Sequence, residues 1–161
     1  MYYRAKRSGM TSPRSLVGTD CWQVSGVKDA SGFFRAIPAL VPQATHMFLE
    51  GTPARGIVAI ISADLDAIPY GAPVGTWWSW PRNGRFAVRA SPSMFARLGD
   101  AAEHHAQPEV CDHLHFYRNE EPLVQWFDAF DDPLWISKAI PRERVQMFCS
   151  ELGGVLSDGA V

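Results

Sequence analysis

The chain has no apolar run near the roughly 18 residues that a membrane-crossing helix needs. Its opening, MYYRAKRSGMTSPRS, holds no apolar stretch that could serve as a signal-peptide core. A cytoplasmic protein with no membrane partner is the expectation. Nucleotide and hydrolase signatures are also missing. No G-x-G-x-x-G, P-loop, G-x-S-x-G or kinase motif occurs, so no nucleotide cofactor or common hydrolase framework is indicated. The zinc spacings H-E-x-x-H and paired C-x-x-C are absent too. Cysteine is scarce: Cys21, Cys111 and Cys149 are odd in number and far apart, which argues against a disulfide framework and for reduced thiols. No acid precedes Asp20, whereas Arg4, Lys6, Arg7 and Arg14 stand in that stretch. The expectation for residues 1–18 is a flexible basic arm.

What is present suits one α+β domain. Of the 161 residues, 47% are apolar and 12% aromatic, enough for a filled core, and 20% are charged, too few for a disordered polymer. No internal repeat, low-complexity segment or long linker divides the chain. A single domain over residues 19–153 is expected, followed by a frayed tail over 154–161.

CWQVSGV (21–27) alternates loosely and reads as a strand. In the segment after it, Phe33, Phe34, Ile37, Leu40 and Val41 fall at helical spacing behind Ser31 as a cap, with Pro38 expected to kink or divide the helix. THMFLEG (45–51) reads as a short buried strand ended by glycine, and 53–68 as a helix. Asn83-Gly84, between WWSWPR and RFAV, supplies the backbone conformation of a β-hairpin turn. SPSMFARLGDAAEHHA (91–106) begins with a serine cap and a proline at the first helical position. VCDHLHFYR, PLVQWFDAF and PLWISKAI read as an antiparallel three-stranded meander. PRERVQMFCSELGG supplies a closing helix with proline at its start and glycine at its end. The pattern is a mostly antiparallel sheet with helices packed on it.

Two stretches carry candidate chemistry. HHAQPEVCDHLHFY (104–117) holds four of the five histidines. If 110–117 is one strand, Cys111, His113, His115 and Tyr117 share a face. A hairpin loop of two or four residues then places Val124, Trp126 and Asp128 across from them, with His113 opposite Trp126 or Asp128. His113, His115, Cys111 and Asp128 are therefore candidate ligands for zinc or another transition metal, although no cofactor is required by any motif. The alternative is that the histidines line a sheet face, hydrogen-bonded to Asp128 and packed on Trp126, while His104 and His105 complement a helix C-terminus. A cysteine nucleophile at Cys111 is disfavoured, because His113 lies parallel to it along the strand.

GTWWSWPR (75–82) is the other dense stretch. Trp77, Trp78, Trp80, Arg82 and Arg85, with Trp126, are candidates for a partner-binding surface, since Trp and Arg anchor many interfaces. Acids outnumber bases from Glu109 onward. Together these features point to a small non-catalytic protein that binds a basic protein partner through an acidic C-terminal sheet or the Trp-rich hairpin. A metal-dependent enzyme using the His-x-His strand is the second expectation. Nucleic-acid binding by the basic arm and the Trp/Arg hairpin is the weakest of the three.

Overall fold

Period-two alternation along the strands sorts their side chains onto two faces, and the helices cover one of them. The computed structural model describes residues 15–65 and 84–159. Its strands are β1 (Cys21–Ser25), β2 (His46–Gly51), β3 (Gly84–Arg89), β4 (His113–Arg118), β5 (Glu121–Trp126), β6 (Leu134–Ser137) and β7 (Val155–Asp158). Its helices are α1 (Ala30–Leu40), α2 (Arg55–Ser62), α3 (Pro92–Ala102) and α4 (Arg142–Leu152), with a 3₁₀ turn at Gln107–Glu109. The described strands form one sheet in the order β3-β2-β4-β5-β6-β1-β7, with every neighbouring pair antiparallel. The expected single α+β fold, with its β4-β5-β6 meander and C-terminal helix, is present.

One sheet face carries Val24, Met47, Leu49, Val88, Leu114, Phe116, Val124, Trp126, Leu134 and Ile136. They share one apolar core with Phe33, Phe34 and Ile37 of α1, Ile57 and Ile61 of α2, Met94 and Leu98 of α3, and Val145 and Phe148 of α4. At its centre Phe33 meets Trp126 at 4.9 Å and Phe116 at 6.1 Å between ring centroids. The other face carries a second, smaller apolar cluster of Phe48, Ala87 and Tyr117. The middle of the sheet is thus buried on both sides.

Several local expectations change. Asp29, not Ser31, caps α1: its carboxylate accepts the Gly32 N–H at 3.0 Å, and Ser31 lies buried inside the first turn. Pro38 leaves α1 as one element; near the C-terminal end, the hydrogen bond it forgoes costs little continuity. The 53–68 helix is shorter, ending at Ser62. Ser91 caps α3 as its sequence implies, accepting the Met94 N–H at 3.2 Å. Gly153 closes α4 with φ 68°, and the Gly154 N–H reaches the Cys149 carbonyl at 2.9 Å.

The tail expected to fray instead pairs as β7 against β1, from Trp22↔Asp158 to Ser25↔Val155. Its apolar Leu156 packs against the core, which a solvated tail would leave in water. At the other end, Leu16 of the expected arm is buried, and its N–H donates to Gln125 Oε1 at 2.7 Å. Of the expected Asn83-Gly84 hairpin, only the stretch from Gly84, in β3, is described; Trp77, Trp78, Trp80 and Arg82 lie outside the described residues.

Candidate functional site

Two neighbouring regions gather the chemistry: the face of β2, β4 and β5 opposite the described helices, and the loop that leaves β5. Gly51 fixes the first. It ends β2 with φ 149°, and a Cβ there would lie 2.7 Å from the Asp112 backbone nitrogen, so the close approach of the chain just before β4 requires glycine. The Asp112 N–H donates to the Glu50 carbonyl at 2.8 Å. This sets Glu50 opposite His113 and Phe48 opposite His115, with Arg85 across from Glu50 on β3.

The β4–β5 hairpin turns in two residues, Asn119 and Glu120, but Leu123 is an extra residue in β5, so the register shifts between Tyr117↔Pro122 and Phe116↔Val124. That bulge reverses the expected alternation. Gln125, not Trp126, pairs with His115, while Trp126 pairs with Leu114 on the core side. The expectation that Trp126 shares the histidine face and anchors a partner is therefore corrected: it is a core residue, with its indole N–H donating to the Asp132 carbonyl at 2.7 Å. Cys111 also leaves the histidine face. It precedes β4 and belongs to the core beneath the helices, where burial pushes its thiol well above the usual range. Cys21 and Cys149 are buried, their thiols likewise raised by desolvation.

The histidines are held by backbone donors. The Asp128 N–H donates to His113 Nδ1 at 3.0 Å, and the Trp126 N–H donates to His115 Nδ1 at 3.3 Å. A nitrogen that accepts such a bond carries a lone pair, so each neutral ring is assigned its proton on Nε2. Asp128 Oδ1 lies 3.8 Å from the same His113 Nδ1, but an acceptor nitrogen makes no ion pair with it. His115 packs between Phe48 at 6.1 Å and Phe127 at 4.7 Å. Burial, followed by the neighbouring His113, lowers its pKa to about 3, so it stays neutral.

This tautomer bears on the metal candidates. Coordination through Nε2 needs its lone pair, yet keeping the backbone bond at Nδ1 as well would demand an imidazolate. Among the described residues, no group of three or more His, Cys, Asp or Glu side chains is arranged to hold a metal ion. His113 and His115 do share a face, as their spacing implies; Cys111 is on the other side and Asp128 offers His113 its backbone.

Glu50 and Gln125, which alternation along residues 110–117 does not reveal, join Tyr117 and the histidines in this layer. Glu50 is fully buried; Arg85 Nε lies 3.7 Å from its Oε1, but neither carboxylate oxygen has a hydrogen-bond partner. The Nε2 of His115 is likewise buried without one. Gln125 accepts from Leu16 and donates to the Tyr117 hydroxyl at 3.5 Å, and burial pushes that phenol up to about 12. A glutamate inside the apolar run HMFLEG was the available signal for this layer.

The β5–β6 loop presents acids outward. Its backbone closes on itself, with the Asp131 and Asp132 N–H groups both donating to the Asp128 carbonyl at 3.0 Å and Ala129 N–H to the Asp112 carbonyl at 2.7 Å. Phe130 plugs it into the core, 4.6 Å from Trp126, and Lys28 Nζ donates to the Phe130 carbonyl. The side chains of Asp128 and Asp131 are 68% and 86% exposed. With Asp112, Gln107, Pro108, Cys111 and Ala129 they line a recess of about 270 Å³. The remaining C-terminal acids are more dispersed: Glu121 pairs with Arg118, and Asp158 with Lys138 and Arg142. The acidity is therefore concentrated at this loop instead of spread over the sheet.

No protein-family model matches the chain, and no curated protein or solved structure is significantly similar to it.

Proposed function

We propose that the protein is a non-catalytic binding module that engages a basic protein partner through the acidic loop between β5 and β6. The observation that carries this reading is the presentation of exposed carboxylates on a loop already ordered by its own hydrogen bonds and by Phe130 in the core. A partner binding there orders little further backbone, which removes one of the usual costs of association. The recess between Asp112, Asp128 and Asp131 suits a lysine or arginine: carboxylates surround the cation while Pro108 and Ala129 take its apolar stem. Lys28 already pairs with Asp131 at 3.3 Å, an internal example of the same recognition. The three buried thiols and the histidines whose Nδ1 is taken up by a backbone N–H favour binding over nucleophilic or metal-assisted chemistry.

Calorimetric titration with a poly-arginine peptide, with poly-glutamate as control, tests this reading. Poly-arginine is expected to bind and to weaken as salt rises. The double variant Asp128→Lys/Asp131→Lys is expected to lose at least about tenfold in affinity. Glu143→Lys/Glu151→Lys, on α4, is expected to leave affinity at the wild-type level. Equal loss in both variants, or none in the first, overturns the proposal.

A further inference from the structure

We infer that the sheet face opposite the described helices contains a buried binding position for one hydroxyl group, supplied by water in the free protein, between Glu50 on β2 and His115 on β4. Two unpartnered groups of opposite character carry this inference. Both Glu50 oxygens and His115 Nε2 are buried without a hydrogen-bond partner, and such groups are rare in native proteins unless an ordered molecule satisfies them. Because the Trp126 N–H occupies Nδ1, the orphan Nε2 is a donor; the Glu50 carboxylate is an acceptor.

The strand register puts them within reach of one intervening atom. Glu50 faces His113 and Phe48 faces His115 in the β2–β4 register, so Glu50 and His115 are diagonal neighbours on one face. Diagonal Cα atoms lie about 7–8 Å apart, within reach of long side chains. Two hydrogen bonds of about 2.8 Å each, meeting at one oxygen, bridge such a pair. The oxygen accepts from His115 Nε2–H and donates to Glu50.

The same chemistry selects the guest. A metal cation needs a lone pair that His115 Nε2 does not offer, and an ammonium would set its own donors against that N–H. An anion would lie against the buried Glu50 carboxylate. A hydroxyl oxygen is donor and acceptor at one atom, which is what the pair requires. Arg85, 3.7 Å from Glu50 Oε1, balances the carboxylate charge from the other side and leaves both oxygens open to a donor. His113, directly opposite Glu50, is held with its Nδ1 on the Asp128 N–H and so does not displace the bridge with a lone pair.

The test is magnetisation transfer between bulk-exchanging water and the side-chain N–H protons of histidine-labelled full-length protein. His115 Nε2–H is expected to show a cross-peak to a bound water. Glu50→Gln, which keeps an acceptor oxygen, is expected to retain the cross-peak, and Glu50→Leu to lose it while the amide spectrum remains that of a folded chain. Retention of an unchanged cross-peak in Glu50→Leu, or its absence from the wild type, overturns the inference. If Glu50→Leu does not fold, the wild-type and Glu50→Gln spectra still decide: both must carry the cross-peak.

Discussion

On the core side of β4, Leu114 and Phe116 pack among aromatic rings of α1 and β5; on the other side of the same strand, His113, His115 and Tyr117 meet Phe48, Glu50, Gln125 and Phe127. Both sets are buried. The apolar side is held by shape and area, so it responds to lost volume and hardly at all to pH. The polar side is held by placing each donor against an acceptor, so it responds to protonation and to the loss of single hydrogen bonds. Both devices stabilise the same strands, and they can be broken separately.

The largest effect is expected on the core side. Trp126→Ala removes the ring that packs on Phe33 and Phe130 and the indole bond to Asp132, and should cost about 3–5 kcal/mol in chemical denaturation. Next comes the pH response of the polar side. His115 is held near a pKa of about 3 when folded, against about 6.5 in the unfolded chain. Between those values the unfolded chain binds one more proton than the folded one. The stability from His115 is therefore complete above about pH 6.5 and declines as pH falls toward about 3, with about 2 kcal/mol lost between about pH 7 and about pH 5. His115→Gln, which cannot titrate, should be less stable at neutral pH and show a shallower slope across that window in denaturation measured at several pH values. A slope equal to that of the wild type would place the lost proton elsewhere.

A change of similar size follows from Gln125→Ala, which leaves the buried Leu16 N–H without its acceptor. About 1–3 kcal/mol is expected, with the amide of Leu16 exchanging faster with solvent. The smallest is Asp128→Lys/Asp131→Lys: these side chains are exposed, so stability should move by no more than about 0.5 kcal/mol even though poly-arginine binding falls. A large stability loss in that variant would tie the acids to the fold and remove the separation between scaffold and binding loop.

The sequence showed the scaffold more clearly than the site. Serine before α3 and proline at its first position, glycine after α4 and the alternation of the meander each act within a few residues, so local chemistry placed them well. The site depended on a single inserted residue. Leu123 reverses the inside and outside of β5 beyond the hairpin, and no local pattern distinguishes a two-residue turn with a bulge from a regular ladder. That one event moved Trp126 into the core and gave Gln125 the place beside His115. Cys111 strayed for a related reason: the regular strand starts only at His113, so alternation does not extend back to it. The partnership of His113 and Asp128 was legible, but through a backbone N–H that residue types do not reveal. β7 was hidden because its four residues are mostly solvent-facing and resemble a tail until β1 offers its edge.

Backbone N–H groups donate to Nδ1 of both strand histidines, which leaves Nε2 as the donating nitrogen of each ring. Long-range proton–nitrogen correlation spectra of histidine-labelled protein at neutral pH read this arrangement atom by atom. For His113 and His115 the predicted result is an unprotonated Nδ1 and a protonated Nε2, with both signals unmoved by added zinc. Protonated Nδ1 in either ring, or a stoichiometric zinc-dependent shift of both, would contradict it.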